Sequence, residues 1–235
     1  MPVRNDASWL VNLDICVLRD INTAPVGSRH CPVNHGDAVD LFEDALRLRN
    51  LVPTVRISML HPDLKRFIYT VEFRTQDDGM RFILGFINYN DGTKSFTGIA
   101  GERIMVCSNQ MFTGIIQESK RRHTTNIMED IRACIDTTVG YFPKFVETRR
   151  EEIQYAKTHC INLAGAVLYM HRHTSIASAT IGQCIKEFDN PSFDYNCDKG
   201  SKWAFQNACT HVFKKFNPLY RIDMQKELQK CLLLS

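Results

Sequence analysis

The chain has 235 residues, of which 44% are apolar and 23% are charged, and this composition excludes an intrinsically disordered protein. Its formal net charge of +3 and isoelectric point near 8.4 are mildly basic. This charge permits a polyanionic partner without requiring one, because nucleic-acid-binding domains often have an isoelectric point above about 9. Any argument for nucleic-acid binding therefore has to rest on local clusters of basic residues.

The cysteines and the apolar runs exclude further classes of protein. Nine cysteines are scattered along the sequence, and no two form a C-x-x-C pair, which argues against a zinc ribbon or a redox dithiol. No run approaches the roughly 18 apolar residues of a membrane-spanning helix, and the first twenty residues do not resemble a signal peptide. We expect a cytoplasmic protein with no cofactor, no metal site and no membrane association.

The first part of the chain predicts one helix. Residues 1–36 are expected to be irregular or in short strands, because prolines and glycines interrupt them. Asp37 is a candidate N-cap of a helix that continues to about Asn50, and Pro53 then ends it.

Alternating apolar and polar residues after this helix predict an antiparallel β-meander with one buried face. The Asp91-Gly92 pair marks a tight hairpin turn, because this dipeptide tolerates the positive φ angles that such a turn needs. Ser108-Asn109 is expected to be a turn or a cap. The predicted strands number about five and lie near 55–60, 67–74, 82–86, 94–99 and 102–107.

From about residue 124 the apolar residues recur at helical spacing. Gly140 and Pro143 are expected to end the first helix of this part, and further helices are predicted over 144–172, 174–188, from Ser201 onwards and over 221–233. Strands followed by helices indicate an α+β fold. We predict a single domain with three parts: an irregular segment at 1–36, an α+β core at 37–143, and a helical layer at 144–235 packed on the core.

A set of short motifs resembles a family of phage and plasmid proteins described as domain of unknown function 932. The motifs are an Asn-Asp-Gly turn, a strand ending in Val-Cys, an Arg-His step before a helix, and a Trp…Asn-Ala helix. The matching residues are Asn90, Asp91, Gly92, Arg103, Val106, Cys107, Asn109, Arg122, His123, Trp203, Asn207 and Ala208. The resemblance extends over about residues 40–215, and it implies a mobile genetic element without implying a mechanism.

The predicted order of elements is also similar to the α-β-β-β-α core of single-strand annealing proteins of the RecT and Red beta class. That similarity implies that basic residues on the meander and on the helix after it hold single-stranded DNA. It also implies a homo-oligomer, in which exposed strand edges could serve as contacts.

A cluster of basic residues gives this hypothesis its candidate site. Adjacent donors at the start of a helix can neutralise several phosphates, whereas the alternative is a solvated loop without a ligand. The predicted nucleic-acid-binding residues are Lys120, Arg121, Arg122 and His123, extended by Arg103, Lys94 and Arg81. We therefore predict non-catalytic nucleic-acid binding, for example in single-strand annealing or recombination.

Two other classes of function remain as alternatives. The first is a protein-binding inhibitor of a host defence system, with an interface formed by Phe193, Tyr195, Trp203 and Asn207. Within that set, Trp203 and Asn207 share a helix face, and they could instead simply dock their helix against the core. The second is an enzyme with Cys107 as nucleophile and His123 as base, which ranks last because no acidic or amide partner can be placed.

Overall fold

The computed structural model describes residues 9–74, 80–104, 109–118, 126–195 and 197–234. In these ranges the chain forms a six-stranded sheet and seven α-helices, so the predicted α+β class is confirmed. The strands are β1 (Leu10–Val11), β2 (Val55–Leu60), β3 (Arg66–Arg74), β4 (Met80–Tyr89), β5 (Thr97–Ile104) and β6 (Asn109–Glu118). The helices are α1 (Ile15–Asp20), α2 (His35–Leu48), α3 (Ile127–Thr158), α4 (Leu163–His173), α5 (Ser178–Asp189), α6 (Lys202–Phe213) and α7 (Pro218–Leu234).

The strands of the sheet lie in the same order as in the chain, as expected of a meander. β2 and β3 are antiparallel, with Val55 opposite Glu72 and Leu60 opposite Phe67. The prediction of a single buried face is wrong for the middle of the sheet. Consecutive residues from Phe67 to Val71 are buried, and since successive side chains point to opposite faces, both faces are covered there.

The start of the chain is more regular than predicted. Helix α1 lies within the segment that was expected to be irregular, and Asp14 caps it by accepting a hydrogen bond from the Cys16 amide at 2.8 Å. The N-cap of α2 is Asn34, not Asp37, because the Asn34 side chain accepts hydrogen bonds from the amides of Gly36 and Asp37.

The second half of the sheet also differs from the prediction. The two short strands expected near 94–99 and 102–107 correspond, over the described residues, to the single strand β5. Asn109, expected in a turn or cap, is the first residue of a further strand, β6. Gly98 lies inside β5, where the side chain of Thr138 approaches the backbone.

Helix α3 runs through Gly140 and Pro143, where it was predicted to end. The residues before the proline are firmly packed, because Val139 and Phe142 are buried and the Phe142 ring lies 4.6 Å from the ring of Phe73. Tertiary packing of this kind outweighs the local preference of a proline to end a helix.

The long helix predicted over 144–172 is interrupted at 159–162. The amide of Ile161 donates to the carbonyl of Gly200 at 2.9 Å, and the amide of Lys202 donates to the carbonyl of His159 at 2.9 Å. Asn162 then caps α4 by accepting a hydrogen bond from the Gly165 amide. Backbone groups that would continue the helix are thus paired with a distant segment of the chain.

The described residues fall into two compact units. The first lies within Met1–Gln76, Phe82–Ala100 and Gly114–Pro143, and its core includes the aromatic residues Phe42, Phe67, Tyr69, Phe86 and Phe96. The second lies within Asp77–Arg81, Gly101–Thr113 and Lys144–Ser235. Its core is built from helices α4 to α7 and includes Met170, Ile181, Phe205, Phe213 and Leu228.

Candidate nucleic-acid interface

An open concavity of about 730 Å³ lies in the second unit, where helices α5 and α6 both end. We call it the lysine groove, and its lining includes Lys186, Lys214, Lys215, His211, Asn190 and Ser192. Lysines are favourable at these positions because the carbonyl ends of helices carry partial negative charge. The partial negative charge at the ends of α5 and α6 is therefore a local reason for lysines at these positions.

The groove has an excess of positive charge. Its lining contains three lysines and one carboxylate, that of Glu187, which gives a net charge of +2 with His211 neutral. The Glu187 carboxylate accepts hydrogen bonds from the amide and the hydroxyl of Ser192, at 2.7 and 2.9 Å.

Aromatic rings lie beside the lysines. The partly exposed Phe193 ring is 5.4 Å from the ring of His211, and the Lys214 ammonium lies 5.9 Å from the Phe193 ring centre. The Lys215 ammonium donates a hydrogen bond to Gln183. Nδ1 of His211 is buried and has no hydrogen-bond partner among the described residues. The groove thus offers cations and ring surfaces side by side.

The predicted basic site is described only in part. Lys120, Arg121, Arg122 and His123 lie outside the described residues. Lys94 is exposed in the turn between β4 and β5, with its ammonium 5.8 Å from the Tyr89 ring centre. Arg81 is the second residue of β4 and Arg103 is the seventh residue of β5. Both side chains are partly exposed. Arg81 and Arg103 belong to the second compact unit, whereas Lys94 belongs to the first.

The alternative interface set is largely buried. Tyr195, Trp203 and Asn207 have at most 8% of their surface exposed, so the prediction that they present a protein-binding surface is wrong. The burial of Trp203 and Asn207 confirms the other interpretation, a docked helix, and Asn207 donates a hydrogen bond to the Trp203 carbonyl at 2.8 Å. Phe193 alone is partly exposed, and it lies next to the lysine groove.

Sequence reasoning missed the lysines of this groove. Lys186, Lys214 and Lys215 sit in two helix ends that are almost thirty residues apart in the chain. The adjacent pair Lys214-Lys215 was a weak signal, because lysines at a helix end usually need no ligand. Only the packing of α5 against α6 brings Lys186 to the same place.

A second polar cluster, in the first unit, is satisfied by its own members. It lines a concavity of about 420 Å³ in which Arg56 donates two hydrogen bonds of 2.9 Å to Glu43, and the Tyr69 hydroxyl donates a third of 2.7 Å. Burial would raise the pKa of Glu43, but these donors outweigh burial and lower it. Burial, together with Glu43, raises the pKa of Tyr69. The cluster is a stable ion pair with little capacity left for a ligand.

A comparison with protein-family models matches residues 26–231 to the family described as Domain of unknown function (DUF932). The chain belongs to this family. The resemblance to this family that was inferred from the short motifs is thereby confirmed. The match begins before and ends after the range of about 40–215 that the motifs suggested. No curated protein and no solved structure matches this DUF932 chain significantly.

Two properties of the DUF932 chain concern membranes and metals. Among the described residues, every helix is too short or too polar to cross a bilayer. No group of three or more histidine, cysteine, aspartate or glutamate side chains in the described ranges is arranged to hold a metal ion. His159 instead stacks on Tyr155, with ring centres 3.6 Å apart.

Proposed function

We propose that this DUF932 protein binds single-stranded nucleic acid without catalysing a reaction, in annealing or recombination. The observation that supports the proposal is the lysine groove, which combines a net charge of +2 with the His211 ring and has the Phe193 ring beside it. Proteins that bind single strands without sequence preference use this combination, because cations follow the phosphates while bases stack on aromatic side chains.

In this proposal Lys186, Lys214 and Lys215 contact the phosphates and Phe193 receives a base. Each neutralised phosphate releases bound counterions, so the affinity has to fall as the salt concentration rises. The basic residues Lys120 to His123 would form a second contact, which follows β6 in the chain. Assembly into an oligomer on the strand remains a further prediction.

The double variant Lys214→Ala/Lys215→Ala tests the groove. We expect weaker binding of a fluorescently labelled oligonucleotide, and the slope of log affinity against log salt should become shallower by about 1.4, since each lost phosphate contact contributes about 0.7 for single strands. The matched control is Lys144→Ala/Lys230→Ala, which removes two exposed lysines of the same unit that do not line the groove. An equal loss in both double variants would contradict the proposed site.

Two further variants separate the parts of the interface. Phe193→Ala should weaken binding by about 1–3 kcal/mol with an unchanged salt slope, because it removes stacking and no charge.

Arg121→Ala/Arg122→Ala should make the slope shallower if the predicted cluster contacts phosphates. If no oligonucleotide binds the unmodified protein at low salt, the proposed function fails.

A further inference from the structure

A second concavity in the same unit has a different chemistry. It has a volume of about 410 Å³ and lies among the second half of α3, the first turns of α6 and the last turns of α7. We call it the charged pocket. Its size falls within the range of about 300–1,000 Å³ that is typical of small-molecule sites. No residue of the lysine groove lines it.

The buried guanidinium of Arg149 forms one part of its lining. Only 4% of Arg149 is exposed, and its Nε and Nη2 donate to one oxygen of the fully buried Glu102 at 3.1 and 2.7 Å. Nη1 donates to Glu152 at 2.8 Å, and Nη2 also approaches Gln206 at 3.4 Å. A guanidinium has five N–H groups. One N–H of Nη1 therefore has no acceptor among the described residues.

The wall formed by α6 and α7 presents hydrogen-bond donors. The Lys202 ammonium donates one hydrogen bond, to the Leu232 carbonyl at 3.3 Å, and lies 5.9 Å from the ring centre of Tyr155 on the facing wall. It makes no ion pair with a described carboxylate. The amides of Gln206 and Gln229 approach each other at 3.5 Å, which is a weak contact. The amide nitrogen of Gln229 has no acceptor in the described part of the chain. This wall is suited to a carboxylate.

The wall formed by α3 is acidic and aromatic. Glu151 makes no ion pair with a described residue, and Glu152 uses only one of its oxygens for Arg149. Tyr155 is 54% exposed and stacks with one face on His159. Ala156 and Leu232 complete an apolar surface. This wall is suited to an ammonium group.

We propose that the charged pocket binds a small zwitterion of the α-amino-acid type. The ligand's carboxylate faces Lys202 and the Gln206–Gln229 amides, its ammonium faces Glu151 and Glu152, and an apolar side chain lies against Tyr155 and Leu232. The pocket contains two cations and two anions, so a ligand with charge of only one sign would meet repulsion as well as attraction. This proposal goes beyond nucleic-acid binding and does not depend on it.

The experiment is a calorimetric titration of the full chain with L-phenylalanine and two analogues. N-acetyl-L-phenylalanine lacks the ammonium group and L-phenylalaninamide lacks the carboxylate. We expect L-phenylalanine to bind and each analogue to bind about tenfold more weakly or worse, since hydrogen bonds to charged groups contribute this much. A phenylalanine dipeptide that binds more tightly than the free amino acid would identify a short peptide, whose two ends carry the two charges, as the zwitterion.

Two substitutions test which wall of the pocket contacts each charged group of the ligand. Lys202→Met should remove the preference for L-phenylalanine over its amide, and Glu151→Gln should remove the preference over the N-acetyl analogue. The controls Lys230→Met and Glu147→Gln change exposed charges of the same unit outside the pocket, and circular dichroism verifies that every variant is folded. The proposal is overturned if none of the probes binds at millimolar concentration, if both analogues bind as well as L-phenylalanine, or if Lys202→Met keeps the full preference.

Discussion

His35 has none of its surface exposed, and both of its ring nitrogens are hydrogen-bonded. Nδ1 lies 3.0 Å from the Asn88 amide nitrogen, and Nε2 lies 3.0 Å from the Leu64 carbonyl. The amide can only donate and the carbonyl can only accept, so Nδ1 accepts and Nε2 donates. One ring can do both only when it is neutral. Burial lowers the pKa of His35, and it outweighs the hydrogen bond to Leu64 and the charge of Asp63, which act to raise it.

This lowered pKa predicts a pH dependence of stability. Below the ordinary histidine pKa of 6.5, the unfolded chain binds a proton at this position that the folded chain excludes. The free energy of unfolding should therefore fall as the pH decreases below about 6.5. Urea unfolding between about pH 5.5 and 7.5 should show this fall, and the fall should be smaller in His35→Gln. The exposed control His171→Gln should keep the full dependence, and an identical dependence in both variants would contradict the prediction.

At the scale of the elements, two glycines have opposite roles. Gly98 lies in β5, and a Cβ atom there would come within 2.0 Å of the Thr138 hydroxyl oxygen on α3. That hydroxyl donates a hydrogen bond to the Cys134 carbonyl at 2.7 Å, and this bond would break if the hydroxyl moved away. Gly182 lies inside α5, where a Cβ atom would meet nothing within 4 Å. Gly98 is thus required by packing, whereas Gly182 only weakens its helix.

The same substitution should therefore change stability in opposite directions. Gly98→Ala should lower the free energy of unfolding by about 1–3 kcal/mol, because it overpacks the contact between strand and helix. Gly182→Ala should raise it by about 0.5–1 kcal/mol, because alanine loses less conformational entropy in a helix. Urea denaturation of both variants measures the difference. A stable Gly98→Ala protein would show that α3 can move away from β5.

At the scale of the whole molecule, the second unit is not a continuous piece of chain. It includes residues within 77–81 and 101–113 as well as the helices after Lys144. Glu102, from the end of β5, provides the buried carboxylate for Arg149 in α3. Breaking a buried pair costs about 3–5 kcal/mol, and without Glu102 the buried guanidinium would keep only the half-exposed Glu152 as a charged partner. The helices therefore depend on a strand that comes more than forty residues earlier.

A fragment of residues 144–235 tests this dependence. Without Glu102 it should lack a cooperative thermal transition, although its helices could form in part. The same fragment with Arg149→Met should be better ordered, because it no longer buries a guanidinium that has lost its buried carboxylate partner. Circular dichroism melting of both fragments and of the full chain measures this. A fragment that melts cooperatively without the substitution would contradict the role of Glu102.

Local sequence patterns predicted much of the fold. Alternating apolar and polar residues over 55–60 and 67–74 identified β2 and β3, because successive side chains of a strand point to opposite faces. The alternation did not predict that both faces of β3 are buried. The boundaries failed where distant contacts intervened, as at Pro143 inside α3 and at the break after Thr158. Strand β6 was missed because its first residue, Asn109, was interpreted from the sequence as part of a turn or cap.

The candidate site was less predictable than the fold. The amino-acid sequence by itself determined the α+β class, the family and the presence of basic clusters, since these depend on composition and on neighbours along the chain. Tertiary structure alone decided that Trp203 and Asn207 are buried and that Lys186 joins Lys214 and Lys215 in one groove. It also paired Arg149 with Glu102 beside the charged pocket. The physical reason is that a binding surface requires side chains from distant segments to converge, and convergence depends on how helices and strands pack.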